Sequence, residues 1–224
     1  MFGLMYRCVG SALLLSLLLG ACAGGGDDER PSRPKMVRST LTRPTPRETQ
    51  QCFTELSRQS IRFSPLADRE FGGGCFMAGT VELIDIGVPV TNLKGMRCGL
   101  AQAFTGWVRY AVAPAAAQIL GSPLAKVESF GTYSCRPVIG NAGASRLSEH
   151  AAANAVDISG FVLADGRRIT IERDWHTQDP AVRSFLSVIR QSACRRFKTV
   201  LTPDYNSAHY NHMHMDMGGR PLCA

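Results

Sequence analysis

Six of the eight cysteines, those beyond Cys22, restrict how this chain folds more than any other feature of its sequence. No C-x-x-C pair occurs among them, which makes a cysteine zinc site or a thioredoxin-like motif the weaker reading. An even set in an oxidising compartment predicts three disulfide bonds, and fifteen pairings are open. The six are Cys52, Cys75, Cys98, Cys135, Cys194 and Cys223.

The first 21 residues have the pattern of a lipoprotein signal peptide. Arg7 precedes an apolar run, Val9 to Leu19, which is shorter than the roughly 20 residues that a membrane-spanning helix needs. The following LGAC resembles the lipobox of bacterial lipoproteins, which implies a lipid on Cys22 and anchoring in a membrane of the cell envelope. Ala23, rather than an aspartate, after that cysteine suggests the outer membrane, with the domain facing the periplasm.

Composition and charge narrow the class of protein further. Hydrophobic residues make up 45% and charged residues 19%, values typical of a globular domain. The net charge of +7 favours anionic partners, but export places nucleic acid out of reach. Residues 22–48 are rich in Gly, Pro, Arg and Thr and predict a disordered tether, so residues 49–224 are expected to form one folded domain.

Hydrophobic periodicity predicts two long helices in that domain. Residues 98–120 form the first, with a bend near Pro114, and residues 179–197 form the second. The apolar stripe of the first is expected to lie in the core. It comprises Leu100, Phe104, Trp107, Val108 and Val112.

The remaining elements are short. A strand is predicted to end at Pro137, a Gly- and Asn-containing loop to follow, and a short helix to begin after Ser148. Asp165-Gly166 predicts a β-hairpin, and the chain ends in a strand. This mixed order predicts an α+β domain with a small antiparallel sheet, flanking helices and stabilising disulfides.

The C-terminal sequence HMHMDM alternates polar and apolar residues. On a strand, His212, His214 and Asp216 share one face, while the methionines share the other. One face can therefore pack and the other can bind a metal. The alternative is an edge strand whose histidines face water.

A second group of polar residues lies in SRLSEHAAANAVDISGF. His150 and Asp157 are separated by a predicted change from helix to strand, where a bend would bring them together. With one more histidine they make a three-ligand metal site that leaves a position for water. The alternative is that His150 caps the helix and Asp157 pairs with an arginine.

Together these two segments resemble the LAS zinc metallopeptidases, which include D-Ala-D-Ala carboxypeptidases and murein endopeptidases. Ser148, His150, Ala155 and Asp157 match the family motif S-x-H-x-x-G-x-A-x-D, in which Ala153 replaces the glycine, and His212 and His214 match H-x-H. The resemblance implies Zn²⁺ on His150, Asp157 and His214, with His212 as the catalytic proton carrier. It also implies a LAS-like fold.

The segment GTYSCRP resembles the family segment that carries a substrate-binding arginine, which implies that role for Arg136. The whole domain also resembles the bacterial extensin-like C-terminal family. That resemblance rests on CGLAQAF, YSCRPVIG, LSEHAAANAVDISGF, ACRRFKTVLTPDYNSAHYNHMHMD and the cysteines.

The function expected from these resemblances is a zinc-dependent peptidase that acts on peptidoglycan peptides in the cell envelope. A non-catalytic peptidoglycan-binding or structural lipoprotein that uses the same cleft is the alternative. A purely structural zinc site would need a fourth ligand, for which Asp216 and His209 are the nearby residues.

Five other residues are candidates for a role in the site. Glu172 and His176 are expected in an exposed turn, while Trp107 and Trp175 are expected to pack in the core or at its rim. His209 either lines the cleft or bonds to Asp204.

One pairing of cysteines is favoured. Cys135 is expected to pair with Cys194, because a bridge that closes a loop of some 60 residues stabilises by roughly 4 kcal/mol in the chain-entropy model.

Overall fold

A computed structural model describes residues 41–139, 146–219 and 221–224 of the chain. The signal peptide, Cys22, most of the expected tether and most of the loop after Pro137 lie outside these residues. No helix within the described residues is long and apolar enough to cross a membrane.

Five α-helices lie in the described part of the chain, together with short helical turns of other types. A π-helical turn, Val108–Val112, connects α2 to α3, and two 3-10 turns are Glu149–Ala152 and Ser207–His209. The α-helices are α1 (Pro46–Arg58), α2 (Cys98–Trp107), α3 (Ala113–Ile119), α4 (Ile171–Asp174) and α5 (Pro180–Arg196).

Eleven strands of the described residues form three sheets. The largest sheet has the order β11-β9-β10-β7-β6, with β8 also paired to β7, and only its β9–β11 pair is parallel. The strands are β1 (Arg62–Pro65), β2 (Arg69–Gly72), β3 (Cys75–Met77), β4 (Thr80–Asp85), β5 (Met96–Arg97), β6 (Leu124–Gly131), β7 (Ala155–Leu163), β8 (Arg168–Thr170), β9 (Thr199–Leu201), β10 (Met213–Asp216) and β11 (Leu222–Cys223).

Helices and mostly antiparallel sheets thus combine as the sequence predicts for an α+β domain. The β7–β8 hairpin turns at Asp165-Gly166, where Gly166 has a φ of +88°. The 3-10 turn after Ser148 and helix α5 are also present, and the Asp179 side chain caps the latter. The strand predicted to end at Pro137 is shorter, because β6 ends at Gly131.

The core lies between the largest sheet and helices α2, α3 and α5. All five residues of the predicted stripe of α2 and the π-helical turn are completely buried. Trp107 packs among the rings of Phe104, Phe161 and Phe197, and its indole N–H donates to the carbonyl of Ile189 in α5 at 2.9 Å. Trp107 is therefore a core residue.

The proline in the first long helix is accommodated by the π-helical turn. The amide of Ala113 donates to the carbonyl of Val108, one residue further back than in an α-helix, and Pro114 then lies in the first turn of α3. Since proline has no N–H to donate, a change of hydrogen-bonding pattern just before it avoids a missing donor inside a regular helix.

The folded part begins before residue 49. Helix α1 starts at Pro46, and Thr45 and Glu48 form a capping box, with each side chain bound to the other residue's backbone amide. Further upstream, Arg43 pairs with Glu70 of β2. The expected boundary between tether and domain therefore lies within the first turn of a helix.

Three disulfide bonds are present, but the expected Cys135–Cys194 pairing is wrong. The bonds are Cys52–Cys98, Cys75–Cys135 and Cys194–Cys223. Strand β3 places Cys75 within 5.6 Å of Cys135, measured between Cα atoms, and strand β11 places Cys223 equally close to Cys194. Loop entropy alone does not choose a partner, because a bond forms only where the fold brings the Cα atoms within reach.

Candidate metal centre

Three elements each contribute one residue to a buried cluster. His150 lies in the 3-10 turn, Asp157 on β7 and His214 on β10. Strands β7 and β10 are antiparallel neighbours, and their register pairs His214 directly with Asp157. The pairing of the two strands therefore fixes two of the three residues of the cluster.

The turn between the 3-10 turn and β7 positions His150. Ser148 caps the 3-10 turn, and its hydroxyl accepts from the amide of His150. Ala153 then adopts the left-handed conformation, with φ +50°, which reverses the chain into β7. This is the position of the glycine in the LAS motif, and alanine there carries a strain of about 1 kcal/mol because its Cβ crowds the backbone.

The three side chains converge on one point. Nε2 of His150 lies 3.1 Å from Oδ1 of Asp157, and Nδ1 of His214 lies 2.9 Å from the same oxygen. The two nitrogens are 3.2 Å apart. Zinc bonds of about 2.0 to 2.1 Å put tetrahedral ligands about 3.3 Å from one another, so this donor set suits that ion.

Each histidine is also held by a hydrogen bond from the ring nitrogen that faces away from the cluster. Nδ1–H of His150 donates to the carbonyl of Thr132 at 3.1 Å, and Nε2–H of His214 donates to Oδ2 of Asp216 at 3.0 Å. Acceptors of this kind orient the histidine ligands of metal sites and fix their tautomers. The set therefore has its supporting residues in place, and Asp216 is one of them.

The electrostatics also favour a cation. Burial acts to raise the pKa of Asp157, but hydrogen bonds with His150 and His214, together with the charges of those rings, hold it far below its usual value. Burial likewise acts to lower the pKa of His214, but hydrogen bonds to Asp157 and Asp216 raise it to about 9. The metal-free cluster thus retains a proton that a metal ion would displace.

His212 faces the cluster without belonging to it. Its Nε2 lies 3.7 Å from Oδ1 of Asp157, and its Nδ1–H donates to Oδ1 of Asn211 at 2.9 Å. Although β10 begins only at Met213, the predicted alternation holds: His214 and Asp216 face the cleft, and Met213 and Met215 are completely buried on the other face.

A comparison with protein-family models finds a match to "Extensin-like protein C-terminus" over residues 50–224. The chain belongs to this family. A search of curated proteins finds no match, and neither does a search of solved structures.

The candidate metal-binding cluster of this extensin-like domain lies at a cleft of about 750 Å³. Arg136 and Arg146 line one wall, on two segments that pair through the bridge between Pro137 and Leu147. Arg136, expected to bind substrate, thus lies in the wall of the cleft. Its positive charge lowers the pKa of both His209 and His212, after larger effects of burial and nearer groups.

His209 is a further cleft residue of the extensin-like domain. It is 9% exposed, and its Nδ1–H donates to Oδ1 of Asn206 at 2.7 Å rather than to Asp204. Burial and the neighbouring rings of His214 and His212 lower the pKa of His209 to about 4. The His209 ring is therefore neutral at physiological pH, and its Nε2 carries a lone pair instead of a proton.

Glu149 in the cleft wall was missed by sequence reasoning. Its carboxylate accepts a hydrogen bond from Asn154 at 2.7 Å and packs over Gly218, where an added Cβ would lie 2.0 Å from the carboxyl carbon. Burial raises its pKa. The only signal in the sequence was its position next to His150.

Three of the other candidate residues lie outside the cleft of the extensin-like domain. Glu172 is exposed near the start of α4, and the side chain of His176 is 76% exposed, 4.0 Å from Asp204. Trp175 packs at the rim of the core. The expectation of packing or exposure therefore holds for all three.

Proposed function

We propose that this extensin-like domain is a zinc-dependent peptidase that cleaves stem or cross-link peptides of peptidoglycan. The observation that carries the proposal is the group of three ligand atoms, from His150, Asp157 and His214, within 4.8 Å of one another. No fourth ligand belongs to this group among the described residues. Three protein ligands are typical of catalytic zinc sites, which keep one position open.

When bound, zinc acts as a Lewis acid on a carbonyl and makes water nucleophilic near neutral pH. His150, Asp157 and His214 would hold it, while Thr132 and Asp216 keep the two imidazoles in place. The chain's own contribution is therefore to orient the ligands and to leave one side of the set open to the cleft.

His212 is suited to move the proton. Because Nδ1–H is bound to Asn211, Nε2 carries the lone pair and points towards the ligand set. It would accept a proton from the attacking water and deliver it to the leaving amine of the peptide.

Arg136 is suited to bind a carboxylate or the developing oxyanion of the substrate. Its only hydrogen bond to the described residues goes to the carbonyl of Pro137 at 3.3 Å, which leaves most of its N–H groups for a ligand. The guanidinium fork suits a carboxylate, which the stem peptides of peptidoglycan supply.

Two observations favour catalysis over the alternatives. His212 would be turned away from the metal in a domain that only binds, whereas its Nε2 lies 3.7 Å from the ligand oxygen of Asp157. A structural zinc site needs a fourth ligand, yet Asp216 is occupied as the acceptor of His214, and His209 lies outside the group of ligand atoms within 4.8 Å of one another.

The proposal also covers the fold family of the domain and the place of the protein in the cell. The cluster and its motif support a LAS-like architecture, and the leader with Cys22 supports a lipid anchor in the bacterial outer membrane, facing the periplasm. A positively charged domain held there has peptidoglycan, an anionic polymer, within reach.

Digestion of purified sacculi tests the proposal. The zinc-loaded full chain should release peptide fragments that mass spectrometry identifies, and a chelator should stop the release. His212→Ala should slow it by about 10²-fold or more, whereas His176→Ala, an exposed histidine outside the cleft, should leave it unchanged. Binding to sacculi without cleavage by the wild type would favour the non-catalytic alternative.

A further inference from the structure

Four aromatic rings follow one another beside the metal-binding cluster. Phe130, His212, His209 and Tyr205 have ring centroids separated by 5.8, 5.2 and 5.7 Å in turn. We call this set the ring row. Its two inner members are imidazoles of the cleft, and its two outer members are large side chains that remain 55% and 46% exposed.

The exposure of the outer rings is not explained by packing. Phe130 is the outward residue of β6 next to the buried Ser129, and Tyr205 lies in the turn after β9. A single exposed aromatic residue, such as Tyr110, needs no explanation. Tyr205 lines the cleft, however, and Phe130 contacts His212, which also lines it; exposed rings so placed are typical of a binding surface.

Hydrogen-bond donors lie beside the inner rings. The side-chain oxygens of Asn206 and Asn211 accept from His209 and His212, while their NH₂ groups make no hydrogen bond to the described residues. Aromatic faces with nearby amide donors suit a sugar, because its C–H face stacks on a ring while its hydroxyl and acetamide oxygens accept hydrogen bonds.

We propose that Phe130 and Tyr205 bind N-acetylated amino sugars of the glycan strand to which the substrate peptide is attached. The inference rests on the proposed function and names the second chemical part of the same substrate. The peptide would follow the charged wall at Arg136 and Glu149. The small side chains of stem peptides offer little apolar area to the two rings, whereas a sugar face covers a ring.

Binding of chitotetraose, a tetramer of N-acetylglucosamine, tests the inference without any need for cleavage. The full chain is titrated with the sugar, and binding is followed by NMR saturation transfer and calorimetry. Phe130→Ala and Tyr205→Ala should each weaken binding by about tenfold, which corresponds to about 1.4 kcal/mol of stacking. Tyr110→Ala is the matched control and should change binding by less than about twofold. Phe130→Trp should retain binding.

The outcomes separate this inference from the proposed function. No binding by the wild type at millimolar sugar, or equal binding by the wild type and both alanine variants, would overturn the ring row as a sugar site. In parallel, cleavage of a soluble stem peptide is measured. Sugar binding that depends on the ring row, without peptide cleavage, would support this inference and contradict the peptidase. Cleavage without sugar binding would do the reverse.

Discussion

Asp216 accepts the Nε2–H of His214 at 3.0 Å, and this bond determines which nitrogen of His214 faces the cluster. Oδ1 of the same carboxylate accepts the amide of Gly218 at 2.9 Å, so its orientation is fixed from two sides. The aspartate of HMHMDM therefore supports His214, a candidate metal ligand, and does not itself belong to the candidate ligand group.

Replacing Asp216 should weaken metal binding. Asp216→Asn keeps the shape but removes the charge that holds His214, so zinc affinity should fall by about 10- to 100-fold. Competition with a fluorescent chelator measures it. Asp204→Asn, an exposed aspartate, is the control. Unchanged affinity in Asp216→Asn would contradict the supporting role.

The ligand set predicts about one zinc per chain. His150→Ala combined with Asp157→Ala should remove it, because one remaining ligand cannot hold the ion. Elemental analysis of the purified protein measures the content, and His176→Ala should leave it unchanged. Full zinc retention by the double variant would refute this set of ligands.

Variants of His212 and His214 should separate metal binding from proton transfer. His214→Ala should lose both metal and activity, whereas His212→Ala should keep the metal and lose about 10²-fold or more in rate. Metal content and peptide cleavage are measured on the same samples. Zinc lost from His212→Ala and kept by His214→Ala would reverse the roles.

Zinc should stabilise the domain more strongly as pH rises from 6.5 to 9. The pKa of His214 in the metal-free fold is about 9, above its ordinary value of 6.5. The stability that its proton contributes is thus fully present below about pH 6.5 and is lost as pH rises through 9. Zinc competes with that proton, so its apparent affinity should rise towards pH 9.

The measurement is the difference in Tm between the zinc-loaded and the chelated full chain at several pH values. The difference should grow with pH over this interval. A difference that shrinks would show that the proton on His214 does not compete with the metal.

The Cys75–Cys135 bond should stabilise the fold substantially. The two cysteines are 60 residues apart in the sequence. A bond that closes a loop of this length contributes about 4 kcal/mol to the free energy of unfolding in the chain-entropy model. A Cys75→Ser, Cys135→Ser double variant should therefore lose about this much free energy of unfolding in urea. A loss below about 1 kcal/mol would show that strain in the folded state offsets the effect.

The sequence by itself determined the local parts of the site. A strand alternates its side chains with a period of two, so HMHMDM places His214 and Asp216 on one face whatever the tertiary contacts are. Ser148 similarly indicated the start of the short turn that carries His150. The start of α1 was missed, because the composition of residues 22–48 predicted a tether although Thr45 and Glu48 have the spacing of a capping box.

Only the tertiary structure decided which distant segments meet. Thr132 supports His150 through a backbone carbonyl, a group that every residue has and that leaves no mark in the sequence. The pairing of Cys75 with Cys135, and the approach of Phe130 to His212, likewise depend on how strands and loops far apart in the chain pack. Periodicity and capping act over a few residues, whereas these contacts are set by the packing of the whole domain.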